Sequence, residues 1–235
     1  MLFPNITFDV WEGYKMPDIP TKLLVVDDEA TTRLLMTRIF TDLGHSVRSA
    51  ADGFSALAEI RQEIPDIVLS DLNMPGMSGF ELISVVRRRF PTLPIIAMSG
   101  AFSGNGMQPG VAADAFYEKA SNLKTLLQLV EAINRQGKPP TRHIDTTAPI
   151  WIQTNGCDSS GTACITIACP ECLRTFPQVL GTGNCLVHTT DCAHCHSLIH
   201  YAIVQPTDPA SPQAFQRKPN SGTHVDSSRQ TSAAS

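Results

Sequence analysis

Long apolar runs are missing from this chain of 235 residues. No stretch approaches the roughly 18 consecutive apolar residues of a membrane-spanning helix. The opening MLFPNITFDVWEGYK has neither the basic start nor the apolar run of a secretory signal. A soluble, cytoplasmic protein is therefore expected. Blocks of like charge are missing too: the formal net charge is only -4, which gives no pointer to nucleic acid or anionic lipid at the level of the whole chain. Cysteine is absent before Cys157, and all 7 cysteines crowd between Cys157 and Cys195. In a reducing compartment such crowding reads as metal ligation before disulfides, and it marks a separate module.

What is present is a core-forming pattern. Hydrophobic residues make up 42% of the chain, enough for one domain of ordinary size plus something smaller. LLVV (23–26), IVLS (67–70) and PIIAMS (94–99) read as buried strands, and HSVRSA (45–50) as a weaker one. Amphipathic stretches lie between them. Residues 30–43 carry Leu35, Ile39 and Leu43 at four-residue spacing, and residues 121–135 carry Leu123, Leu126, Leu127, Val130 and Ile133 on one face. Ser121 stands where it would cap the last helix, while Gly44 and Gly137 follow helical stretches as closing residues. After PIIAMS, the segment GAFSGNGMQPGVAAD contains Pro109 and is too rich in glycine for a regular helix. Strands alternating with helices predict an α/β fold, a doubly wound five-stranded parallel sheet covered on both faces. Its ligands would sit beyond the carboxyl ends of the strands, at a topological switch point.

This domain is expected over 21–138, after an N-terminal extension (1–20) whose first 15 residues show no period and suggest a start at Met16. A linker follows at 139–150, then the cysteine module at 151–204 and a Ser- and Pro-rich tail at 205–235 that is expected to be disordered.

The strand ends carry chemistry. Asp27 and Asp28 end the first strand, Asp71 ends the third, Ser99 ends the fourth, and Lys119 follows the short AFY run read as the fifth. Phosphoryl transfer to a carboxylate needs such a set: a nucleophile, a divalent metal, and a cation and hydroxyl to hold the phosphoryl oxygens. Taken singly, Asp27 and Asp28 could cap a helix, Asp71 could sit in a turn, Lys119 could be a solvated charge, and Gly76 and Gly79 would serve any tight loop. Their gathering at strand ends favours the joint reading.

LLVVDDE (23–29), DIVLSDLNMPGMSGFEL (66–82), PIIAMSG (94–100) and ADAFYEK (113–119) strongly resemble the response-regulator receiver family in order and approximate spacing. The resemblance covers about half the chain. It implies that Asp71 is phosphorylated by a sensor histidine kinase, and that Asp27, Asp28 and Asp71 bind Mg²⁺ with the backbone carbonyl of Asn73. By the same resemblance Ser99 and Lys119 contact the phosphoryl group, Phe116 is the aromatic switch, and the domain is no enzyme beyond its own phosphorylation and dephosphorylation. Three departures stand out: Ala120 replaces the proline usual after the lysine, the irregular 100–112 replaces much of a fourth helix, and Ala101 is small.

In the module, Cys169-Pro-Glu-Cys172 and Cys192-Ala-His-Cys195 form two CxxC pairs 19 residues apart. Each turn can aim two thiolates at one tetrahedral ion, which points to a structural Zn²⁺ site. The segment resembles a zinc ribbon whose strands are ACITIAC and LIHYAIV. An iron–sulfur site with the same ligands and a redox dithiol remain open. Cys185 with His188, or His194 and His196, are possible replacement ligands, and Cys157 and Cys164 read as small buried residues or free thiols. Residues 151–204 hold Arg174 against Asp158, Glu171 and Asp191, a net charge of −2 that suits protein contacts better than phosphate. The expected output is an unidentified downstream protein. A nucleic-acid-binding transcriptional regulator, using Arg217 and Lys218 of the tail, and a phosphorelay intermediate are the alternatives.

Overall fold

A computed structural model describes residues 20–100, 112–119, 121–136, 149–153, 156–157, 163–179 and 187–204. Expectations that rest on residues 1–19, Ala101, Pro109, Ala120, Gly137, Cys185, most of the irregular 100–112 segment and the tail beyond 204 lie outside them.

Five strands form one parallel sheet in the order β2-β1-β3-β4-β5. They are β1 (Lys22–Val26), β2 (Ser46–Ala50), β3 (Ile67–Asp71), β4 (Ile95–Ser99) and β5 (Ala115–Glu118). The helices are α1 (Ala30–Asp42), α2 (Gly53–Gln62), α3 (Gly79–Arg89) and α4 (Leu123–Gln136). β3 and β4 are buried at every position, because a parallel strand covered on both faces must be apolar throughout. Edge strand β2 buries only Ala50. Alternate side chains serve two cores. Leu23, Val25, Leu69 and Met98 pack with α1 and α4, while Leu24, Val26, Val68 and Ala97 pack with α2 and α3.

Local details correct two expectations. In α1 the buried stripe is Met36, Ile39 and Phe40, running on to Leu43, while Leu35 is 43% exposed. Two steps of four residues overrun the helical period of 3.6, so Leu35 has rotated off the stripe that Ile39 and Leu43 share. Ser121 does not cap α4: Asn122 does, its side-chain oxygen accepting from Lys124 N at 2.9 Å, while Ser121 Oγ is buried without a partner. Gly44 closes α1 with φ 84, as expected.

The module has two three-stranded sheets. One pairs β10 (His188–Asp191), β11 (Leu198–Val204) and β6 (Ile150–Gln153); the other pairs β7 (Gly156–Cys157), β8 (Ala163–Ala168) and β9 (Thr175–Val179). It does not stand apart from the receiver-like sheet. β6 lies against α3, and Ile150, Ile152, Ile167, Phe176 and Ile199 join the same buried cluster as Leu82 and Val86. A small β module gains from this the apolar burial that its own length cannot supply.

Candidate functional site

The strand order reverses between β1 and β3, so the loops beyond their carboxyl ends diverge and leave a crevice. Asp27 and Asp28 follow β1 there, and Asp71 ends β3. Asp27 is fully buried, Asp71 is nearly so and Asp28 is exposed. One oxygen from each carboxylate lies within 4.8 Å of the others. Lys119, just after β5, reaches in from the side: its Nζ lies 2.7 Å from Asp71 Oδ2 and 2.8 Å from Asp27 Oδ2. Burial pulls the lysine's pKa down, but the two carboxylates outweigh it and hold it above its ordinary value. Burial also pushes Asp27 up, partly opposed by Lys119 and by the Glu29 N–H that donates to Asp27 Oδ1 at 3.0 Å.

Backbone contacts fix this geometry. Arg33 donates to the Asp27 carbonyl at 2.6 Å, Asn73 N donates to Asp71 Oδ1 at 3.2 Å, and Lys119 N donates to Ser99 O at 2.9 Å. Ser99 is fully buried at the end of β4. α3 starts hard against the Asp71 strand: a Cβ on Gly79 would lie 1.9 Å from the Asp71 carbonyl oxygen, so this glycine is required by close approach and not merely by a tight loop. Phe116 is half-buried on β5 opposite Ala97 and packs toward the α2–α3 core. Three clustered carboxylates are hard oxygen donors, the set that suits Mg²⁺.

The pattern did not reveal two charged residues. Ser78-Gly-Phe-Glu81 has the spacing of a capping box. Ser78 Oγ does accept from Glu81 N at 3.3 Å, but the Glu81 carboxyl is buried with both oxygens unpartnered, and burial pushes its pKa up to about 8. Arg87, the first of three successive arginines, is 1% exposed. It donates to the Ala112, Pro91 and Leu93 carbonyls at 3.0, 2.9 and 2.8 Å and pairs with Asp114 at 2.5 Å. Those contacts tie α3 to the segment entering β5.

The cysteine centre is built from two like turns. Leu173 N donates to Cys169 O at 2.8 Å and His196 N to Cys192 O at 2.9 Å, while Cys169 N and Cys192 N each donate to a carbonyl at 2.9 Å, those of Arg174 and Ser197. Leu173 and His196 have φ of 56 and 60, a left-handed conformation that the sequence hides because neither is glycine. The Cys169, Cys172, Cys192 and Cys195 sulfurs lie within 4.8 Å of one another. Cys169–Cys195 and Cys172–Cys192 are 3.6 and 3.7 Å apart. A tetrahedron with metal–sulfur bonds of about 2.3 Å has edges of about 3.8 Å, so the four free thiols fit one zinc-sized ion. Burial raises the Cys169 and Cys172 pKa values, whereas the Ser197 hydroxyl draws Cys195 down to about 6. His194 Nε2 lies 3.1 Å from Thr175 O, which makes it a neighbour of the centre. His188 stacks on Tyr201.

Residues 23–131 match the family described as the response regulator receiver domain. Transcriptional regulatory protein TcrA of Mycobacterium tuberculosis is 34% identical over 127 residues, 51% of this chain and 49% of TcrA. Sensor protein EvgS of Escherichia coli is 36% identical over 96 residues, 40% of this chain and 8% of EvgS. The chain thus spans about half or less of the length of these relatives. The solved chemotaxis protein CheY4 of Vibrio cholerae shares 34% identity, covering 48% of this chain and 98% of that one, with a TM-score of 0.46.

Proposed function

Residues 23–131 being a response regulator receiver domain, we propose that Asp71 is its phosphoacceptor and that a sensor histidine kinase supplies the phosphoryl group. The observation that carries this is the Asp71 carboxylate, one of three clustered carboxylates with the Lys119 ammonium 2.7 Å away. An Asp71 oxygen attacks phosphorus in line, the bond from phosphorus to the kinase's histidine nitrogen breaks, and that nitrogen departs with the electron pair. Lys119, held charged by the carboxylates, balances the negative charge of the transferred oxygens, and the buried Ser99 hydroxyl donates to one of them. Asp27, Asp28 and Asp71 would hold Mg²⁺, with the Asn73 carbonyl as a further ligand, and the ion supplies charge neutralisation when bound.

Output in this reading goes through the zinc-ribbon-like module by protein contacts, with Cys169, Cys172, Cys192 and Cys195 holding Zn²⁺ as a structural staple. The module's packing on α3 supports this, since α3 begins against the Asp71 carbonyl. Phosphorylation would act by shifting the population of two arrangements of that helix and its loop. A nucleic-acid target, suggested by the name of TcrA, suits the module's net negative charge poorly.

The test is beryllium fluoride with Mg²⁺ added to the purified protein while amide spectra are recorded. Shifts around Asp71, Ser99 and the α3 start are expected in the wild type and not in Asp71→Asn. Identical spectra for the two proteins would overturn the assignment.

A further inference from the structure

Between α2 and the two cysteine turns lies a cleft of about 270 Å³. Phe54, Ala58 and Leu173 give it apolar walls, and Arg61 and Arg174 stand over it. Among the described residues no acidic side chain lines it. Both arginines are exposed, and neither guanidinium has a hydrogen-bond or ion-pair partner among the described residues. Arg174 is the one lysine or arginine in residues 151–204, so the module's single cation faces the same cleft as a cation of the receiver domain. Two like charges over one apolar cleft repel each other unless an anion joins them, and a guanidinium offers a carboxylate two parallel donors.

From this juxtaposition we propose that the cleft is a docking site for an acidic peptide segment of a partner protein, with a carboxylate between Arg61 and Arg174 and a neighbouring aliphatic or aromatic side chain against Phe54 and Leu173. The volume is below the roughly 300–1,000 Å³ of small-ligand pockets, and it suits one or two anchoring side chains of a chain that runs on over the surface. Nucleic acid fits less well, because phosphate binding wants an extended basic surface and residues 151–204 hold no lysine or arginine besides Arg174.

The cleft also stands beside both working parts of the molecule. The edge of the Phe54 ring would be 3.5 Å from a Cβ on Gly76, in the loop that follows Asp71, and Leu173 is the left-handed residue that closes the first cysteine turn. Control of docking by phosphate on Asp71 rests on the proposed function; docking itself does not.

The experiment uses the full-length, zinc-loaded protein and a fluorescein-labelled peptide alternating glutamate with leucine and phenylalanine, read by anisotropy. Saturable binding is expected, weakened about tenfold or more when glutamine replaces glutamate in the peptide and equally by Arg61→Gln or Arg174→Gln. Both arginines are exposed, so the variants should keep their zinc content and their response to beryllium fluoride, which separates this test from that of Asp71. No saturable binding, equal binding of the glutamine peptide, or arginine variants that bind as the wild type does would overturn the proposal. So would displacement of the peptide by duplex DNA through the same two arginines.

Discussion

Arg89, the last residue of α3, donates through Nε to the carbonyl of Glu171 at 3.0 Å. Glu171 lies between Cys169 and Cys172, so the helix that begins against the Asp71 carbonyl ends on the first cysteine turn. A rigid helix held at both ends transmits a shift at one to the other, and linkage makes such coupling reciprocal. Arg89 itself is exposed, which makes it a mild probe. Arg89→Ala is expected to leave beryllium fluoride binding within about twofold while reducing the chemical-shift response of the module's amides, a readout that loss of a surface bond alone would not move.

Asp71→Asn is expected to reduce hydroxylamine-sensitive phosphorylation by a cognate kinase to background, since the amide is not a nucleophile. Lys119→Ala should retain some labelling while losing the lysine's contribution to charge balance, and its Asp27 should titrate higher once its cation is gone. Label persisting on the Asp71→Asn protein at wild-type level would count against the site.

Arg87 is the largest fully buried side chain among the described residues, and Asp114 answers its charge at 2.5 Å. Breaking a buried pair strands the other charge, so Arg87→Met is expected to destabilise the fold by roughly 3–5 kcal/mol. Adding Asp114→Asn to that variant should recover part of the loss. Urea denaturation of the two proteins checks both statements.

Glu81 gives a pH signature. Its carboxyl is raised to about 8 in the fold from an ordinary value near 4.5, so the folded state binds the proton more tightly than the unfolded one. The stability this supplies is complete below the unfolded pKa and is lost as pH rises through the folded one, falling by on the order of a kcal/mol per pH unit in between. Glu81→Gln, which keeps the neutral shape, is expected to flatten the profile between about pH 5 and 8 and to raise stability at its upper end, measured by thermal melts across that range.

Removing the metal should reach beyond the module. Chelation or Cys172→Ala is expected to take bound zinc from one equivalent to none and to lower the melting temperature of the whole described unit, because Cys169 and Cys192 lie in the same buried cluster as Leu82 and Val86. Elemental analysis with a melting curve checks this. A receiver half that melts unchanged would show that the shared core adds little.

The sheet and the acidic site were legible in the sequence because both are local patterns. Runs such as IVLS and PIIAMS must be buried strands, and Asp27, Asp28, Asp71, Ser99 and Lys119 fall at strand ends that a doubly wound topology brings together. The spacing of four cysteines likewise sufficed to place one ion-sized centre. Tertiary structure decided what no period encodes: that Leu35 leaves the buried stripe, that Arg87 and Glu81 lie inside, and that two turns close on left-handed Leu173 and His196. It also decided where the module goes. Burial of a small sheet depends on which outside face completes its core, and Ile150, Ile167 and Ile199 find theirs on α3, where a helix-bound Arg89 meets the cysteine turn.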